Sequence, residues 1–519
     1  MRPLRHLHRR LPRNYALAVL GWLADSFRLA WGLLYWNARK SWFQIRRGRY
    51  PCPCQSPSDS GKAYETHCDA CVQWHNARRF RRVCPLLVET ADGLRCSANT
   101  PEVRPFWGIS ARYYGGTLLG LYAAGVLAVF IFLRGLGYPV SIVHVAVPPL
   151  WYRVGQERGW FFLTRARQAF LAGRTPEGLL YLANAYEFDP SNYEVGLTLA
   201  KTYQLGQPHQ SDEIYRKLLE QHPERRTLTA QYWVRALLAR GDFGQTIPIA
   251  SAEVRRDPTR ANAWMRTLLF ATRHAHDDSE LKALARGTTP ATAAWQPLLQ
   301  TELLLRAGRK ADALRRATEP WPRNAPPFTV VYRAELIAQL GEPLAALDFL
   351  IQHRSELDDE AYWTVRLHCL ALAGSIQILR AEFQAALLDQ PLNQPRLKMM
   401  CAQLIRHPDD VLFQRVYEKA DSSHMSLNDA TAGGWFSLQC TAGAVGDFAR
   451  LHTLTLRLRQ ASQTPFAALL QVEGFFRSKL PESSATSFLP FLPVPLEVTY
   501  ALIDRYSGRE GGGSNRATP

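Results

Sequence analysis

The sequence predicts a mainly α protein. It reads as an α-solenoid of helix-turn-helix repeats that follows a single transmembrane helix, with a small Cys-rich module near the N-terminus. Three observations predict this: glycines recurring 33–35 residues apart, one 19-residue stretch without a charge, and six of nine cysteines crowded between Cys52 and Cys96. At 519 residues, 47% hydrophobic and 21% charged, the chain is too apolar for global disorder and long enough for several domains.

On these signals the chain divides into a basic amphipathic segment (1–50), a Cys-rich module (51–112), a transmembrane helix (113–135) and a linker (136–155). Repeats (156–391), degenerate repeats (392–482), a C-terminal cap (483–507) and a disordered tail (508–519) follow. Basic residues exceed acidic ones by 17 overall. The excess is concentrated: residues 1–112 hold 19 Lys+Arg against 7 Asp+Glu, and the remainder is nearly neutral. Arg outnumbers Lys 53 to 9, the bias of a GC-rich, bacterial genome.

The first apolar stretch, Tyr15–Trp36, carries Asp25 and Arg28, each costing ~2.5–3.5 kcal/mol at a bilayer centre. Its polar stripe and many tryptophans suit a helix lying in the membrane interface rather than crossing it.

In the Cys-rich module, Cys52-x-Cys54 and Cys68-x-x-Cys71 form two close pairs separated by a turn-rich loop. Each pair can chelate from one turn, and the loop can fold the two together around a tetrahedral ion. The expectation is a structural Zn²⁺ site of Cys52, Cys54, Cys68 and Cys71, with Cys84, Cys96, His67 and His75 as further candidates. Thiolates also suit an iron–sulfur cluster, and in an oxidising compartment disulfides become the better reading. Four arginines, Arg78, Arg79, Arg81 and Arg82, surround Phe80 between Cys71 and Cys84, which allows contact with nucleic acid or anionic lipid. A basic juxtamembrane surface that sets topology is the plainer reading.

The run Gly115–Leu133 is free of charge and bracketed by Arg112 and Arg134. As a helix it spans roughly 28 Å, close to the hydrocarbon thickness of a bilayer. Tyr113, Tyr114 and Tyr138 sit where aromatic interface anchors belong. With one span, the basic segment stays cytoplasmic and the repeats lie outside, so the expected location is a bacterial inner membrane with periplasmic repeats. Val140–Leu150, ending in Pro148–Pro149, reads as an apolar exit segment rather than a second span.

From about residue 156 the period takes over. Gly173, Gly206, Gly241, Gly308, Gly341 and Gly374 each end a helical stretch, and one unit near His274 lacks the glycine. A sharp turn between two antiparallel helices favours a residue without Cβ, which accepts positive φ. Pro190, Pro223, Pro258 and Pro391 each follow a repeat glycine by 17 residues, where a proline stops the second helix. The Gly-Asp-Phe turn at Gly241–Phe243 and the terminal Asp-Pro pairs, Asp189–Pro190 and Asp257–Pro258, add to the pattern. So do Gly178, Ala313 and Ala346 five residues after a glycine and Tyr215 and Phe383 nine after.

On these residues, region 156–391 resembles the tetratricopeptide repeat family, and the likeness continues to about residue 480 in degenerate units such as Trp435–Gly446 followed by Asp447-Phe448. The Gly308 and Gly341 units lack the proline. The resemblance implies hairpins stacked into a right-handed solenoid, with first helices lining a groove for a protein partner. In the family register the groove positions are Gln231 and Arg235, Glu302 and Arg306, Val331 and Glu335, and Thr364 and His368. The Lys/Asn/Arg set with which some members clamp a C-terminal carboxylate is absent.

The sequence has no Walker A loop, no His-Glu-x-x-His and no Gly-x-Ser-x-Gly, which argues against an enzyme. The expected function is a membrane-anchored scaffold for protein partners in envelope assembly. The alternative is a membrane-bound sensor whose zinc-binding module binds nucleic acid or responds to metal or redox state.

Overall fold

The computed structural model describes residues 115–506, apart from gaps at 257–260, 288–289, 323–324, 389–391, 424–426, 429–430, 462–465 and 479–483. Before residue 115 it describes four short strands and a few isolated positions. The interfacial segment Tyr15–Trp36, the cysteines Cys52, Cys54, Cys68, Cys71 and Cys84, and the tail 508–519 lie outside the described residues. The chain forms two compact units, residues 1–161 and 162–519.

In the first unit β1 (Gln55–Ser56) pairs antiparallel with β2 (Glu65–Thr66), and β3 (Leu87–Thr90) with β4 (Gly93–Cys96). The β1–β2 hairpin falls, in sequence, between the two close cysteine pairs. Helix α1 (Gly116–Gly135) follows. Among the described residues it is the one helix long and apolar enough to cross a membrane, and its apolar window is not buried at all. Leu118, Leu119, Leu121, Ile131 and Phe132 are each at least 60% exposed. The helix ends at Gly137 (φ +90°), where Tyr138 N–H donates to Leu133 O at 3.1 Å.

Beyond that turn the chain doubles back along α1. A single short helix, α2 (Ile142–Ala146), forms there, and the Tyr122 hydroxyl donates to Ala146 O at 2.5 Å. Trp151 Nε1 donates to Val145 O at 2.9 Å and opens α3 (Trp151–Leu171). The exit segment is thus a return along the helix, too short to span a bilayer.

The second unit is a run of helix hairpins: α4 (Thr175–Phe188), α5 (Tyr193–Tyr203), α6 (Pro208–Gln221), α7 (Arg226–Arg240), α8 (Phe243–Arg256), α9 (Ala261–Ala275), α10 (Ser279–Arg286) and the short α11 (Pro290–Ala293). It continues through α12 (Gln296–Arg306), α13 (Lys310–Thr318), α14 (Phe328–Gln339), α15 (Pro343–Gln352), α16 (Asp359–Leu372), α17 (Ile376–Leu388), α18 (Gln394–Arg406), α19 (Asp410–Ser422), α20 (Ala432–Val445), α21 (Phe448–Ala461), α22 (Phe466–Ser478) and α23 (Leu496–Tyr506). Each hairpin packs on the next, and the first helices α14, α16, α18 and α20 stack side by side. That nearest-neighbour layering makes an α-solenoid, because no hairpin can bury its apolar face alone.

The repeat glycines do what their spacing implies. Gly173, Gly241, Gly308, Gly341, Gly374 and Gly446 all adopt left-handed φ between +68° and +102°. At Gly241 the next residue closes the turn, with Asp242 N–H donating to Leu237 O at 2.9 Å. Gly206 is not among the left-handed glycines. The unit without a glycine solves the same turn with His276, whose φ is +54°. A residue with a Cβ costs roughly 1–2 kcal/mol there. His276→Gly, at an exposed position, is therefore expected to raise the thermal midpoint, stabilising by about 0.5–1 kcal/mol after the unfolded-state entropy of glycine is counted. An unchanged or lower midpoint would contradict this.

The small and aromatic positions are packing positions. A Cβ on Gly178 would stand 2.7 Å from Phe170, and Ala313, Ala346, Tyr215 and Phe383 are wholly buried. Pro190 and Pro223 follow the ends of α4 and α6, while Pro258 and Pro391 lie outside the described residues.

The C-terminal segment departs from the expected end cap. It does meet the last hairpin, through Phe475 and Phe476 against Phe488 and Tyr506. From there it runs across the first helices: α23 packs on α18 and α7, and the turns Ala485–Ser487 and Leu489–Phe491 pack on α7. Arg235 donates to Val494 O, and the Thr267 and Tyr500 hydroxyls lie 2.8 Å apart. Lys398 Nζ meets Glu497 at 3.2 Å, and Arg505 Nη1 donates to Ile405 O at 2.6 Å. Val498, Tyr500, Ala501, Leu502 and Ile503 are buried, so α23 has too much apolar surface to sit at an open end.

Candidate functional site

The inner face of the solenoid is therefore partly filled by the chain itself, and the expected groove residues fare differently. Gln231 is exposed. Arg235 holds the C-terminal segment. Val331 is buried beside a cavity of about 240 Å³, and Thr364 lines the same cavity while returning its hydroxyl proton to Glu360 O at 2.7 Å. Glu335 and His368 face a second cavity of about 560 Å³.

Glu302 and Arg306 correct the expectation. Glu302 is fully buried and accepts from Arg273 at 2.8 and 2.7 Å and from the Tyr332 hydroxyl at 2.9 Å. Arg306 donates to Thr272 O at 3.0 Å. Both are ties between neighbouring hairpins. Glu302 stands six residues before its glycine, as Arg235, Glu335 and His368 do, but Arg273 and Tyr332 draw its carboxylate into the stack; Arg306 stands only two residues before Gly308, at the end of α12.

The larger cavity is enclosed by α9, α14, α16, α18 and α23. Its rim is polar and exposed, formed by Arg273, Gln339, Asp504 and Arg505. Phe270, Phe328, Tyr332 and Tyr500 give it aromatic walls. Sequence reasoning missed Arg266, Arg406, His407 and Asp504, because α23 brings them together from far apart in the chain.

His368 Nδ1 and His407 Nε2 are 2.9 Å apart, so one ring donates and the other accepts. Burial depresses both, and the neighbouring His368, Arg406 and Arg505 help hold His407 down at about 3. Burial likewise lowers Arg406, and it pushes the Tyr500 hydroxyl up to about 12. The interior is electropositive, with charge fixed on guanidinium groups rather than on imidazoles.

The lone cysteines add no chemistry. Cys369, Cys401 and Cys440 are buried and unbridged, and burial pushes Cys369 and Cys401 up to about 12, so they are thiols rather than nucleophiles. Among the described residues, no group of three His, Cys, Asp or Glu side chains could hold a metal ion.

No family model matches the chain, and no curated protein matches it. Among solved structures it is similar to one described as Naa15/Naa10 bound to HypK-THB, at 15% identity and a TM-score of 0.25 over 76% of this chain and 54% of that one. It thus spans about half the length of that neighbour. A second neighbour is the P58(IPK) TPR domain, at 12% identity and a TM-score of 0.17 over 67% of this chain and 97% of that one.

Proposed function

We propose that the chain is a membrane-anchored helical-repeat scaffold that binds protein partners. The observation that carries this reading is the pairing of a largely exposed apolar helix with a stack of helix hairpins. In water, exposing α1 in full would be costly, since each buried Leu, Val, Ile or Phe side chain gains about 1.5–3 kcal/mol. A bilayer removes that cost. The solenoid offers the extended surface that such stacks use for binding.

The reading extends to a bacterial inner membrane, with residues 1–112 cytoplasmic and the repeats periplasmic, because the basic excess lies before α1. It includes a role in assembling an envelope complex, and binding rather than catalysis. We also propose that Cys52, Cys54, Cys68 and Cys71 hold a structural Zn²⁺. A hairpin between the two pairs in sequence would bring their ends together, as a tetrahedral site requires. Partner contact is assigned to the part of the inner face that the C-terminal segment leaves open, at Gln231 and around Thr364.

The test is a photo-crosslinker placed at Gln231 or at Thr364 in cells, alongside Val126→Arg, which puts a charge in the middle of α1. The expected result is a discrete adduct from at least one position, with the wild-type chain in the membrane fraction and Val126→Arg largely lost from it. Wild-type chain recovered without detergent, or no adduct from either position, would refute the reading.

A further inference from the structure

We infer that the cavity enclosed by α9, α14, α16, α18 and α23 binds a small molecule bearing an oxyanion, a carboxylate or phosphate group, held by Arg266 and Arg406.

Most cations around the cavity are already engaged. Arg273 is matched to buried Glu302, and Arg505 donates to Ile405 O at 2.6 Å. His274 Nε2 pairs with Asp504 at 3.0 Å. Arg266 and Arg406 differ. Both line the 560 Å³ cavity and also the adjoining 240 Å³ one, so they stand in the wall the two share. Among the described residues neither makes a side-chain hydrogen bond or an ion pair, and Arg266 lies 5.7 Å from the Tyr500 ring centre.

Both are half-buried, and their guanidinium donors face cavity space instead of a protein acceptor. A carboxylate or phosphate entering that space would supply acceptors, since a planar fork matches their geometry. Glu335 is the acid facing the same space without a hydrogen bond among the described residues. It offers an acceptor to a donor on the ligand, and Asp504 at the rim and Asp358, Glu360 and Glu497 along the adjoining cavity moderate the positive charge. The cavity volume falls within the range of small-molecule sites, and the aromatic walls would cover an apolar body.

The test uses the full chain in detergent, with thermal unfolding followed by tryptophan fluorescence at matched ionic strength. One arm adds inorganic phosphate and the other adds benzoate, which separates phosphate from carboxylate recognition. The expected result is a saturable rise in midpoint for one of them, about tenfold weaker in Arg266→Gln and in Arg406→Gln and partly kept in Arg406→Lys. If Arg406→Gln does not fold, Arg266→Gln and Arg406→Lys carry the comparison. No saturable response to either anion, or responses unchanged in the Gln variants, would overturn the inference.

Discussion

Ending the chain after Ser478 is expected to unfold the solenoid rather than to open a groove. Helix α23 places Val498, Tyr500, Ala501, Leu502 and Ile503 at no more than 4% exposure against α7, α18 and their neighbours. Each large apolar side chain so buried contributes about 1.5–3 kcal/mol. Their sum rivals the 5–15 kcal/mol that typically holds a whole domain. A single change isolates the effect from the deletion. Leu502→Ala should cost about 2–5 kcal/mol, and Leu502→Asp more, because it also buries a charge. Urea unfolding with circular dichroism reads both. If the shortened chain melts like the full one and rebinds a synthetic 484–506 peptide, the segment is a removable occupant and this expectation is wrong.

That segment also marks the boundary of what the sequence could disclose. Local signals were legible: the repeat glycines at their left-handed turns, the charge-free run that becomes α1, and Tyr215 and Phe383 in the core. Each is written in one hairpin or one helix. The use of the inner face was not, since it depends on a pairing between residues more than 200 positions apart, such as Arg235 with Val494 and Thr267 with Tyr500. A hydrophobic run in α23 reads equally well as an end cap. Arg266 and Arg406 sit at ordinary surface-like positions of amphipathic helices, and only the arrival of α23 encloses them. Glu302 failed differently. It holds the same place before its glycine as Glu335 and His368, yet Arg273 and Tyr332 draw its carboxylate into the stack, a pairing that the repeat spacing does not encode.

The buried position of Glu302 makes the second large expectation, an asymmetric one. Arg273→Ala should cost about 3–5 kcal/mol, because it leaves a wholly buried carboxylate with only the Tyr332 hydroxyl. Glu302→Gln should cost much less, about 1–2 kcal/mol. Glutamine still accepts from Tyr332, and the Arg273 side chain, 40% exposed, can return to water. The pH dependence distinguishes this account from simple loss of packing. Burial alone would raise the Glu302 carboxyl, but the hydrogen bonds and charge of Arg273 outweigh it and hold the group below the usual carboxylate range. The wild-type contribution is thus full above the unfolded value of about 4.3 and is lost as pH falls through the lower folded value. In Arg273→Ala the sign reverses. The orphaned carboxyl titrates above its unfolded value, the folded state takes up the proton first, and the deficit seen at pH 7 shrinks on acidification. Urea unfolding of wild type, both single variants and the double variant at neutral and mildly acidic pH measures the coupling. Equal losses from the two single variants, or a deficit in Arg273→Ala that does not change with pH, would mean that the pair is not the tie between hairpins described above.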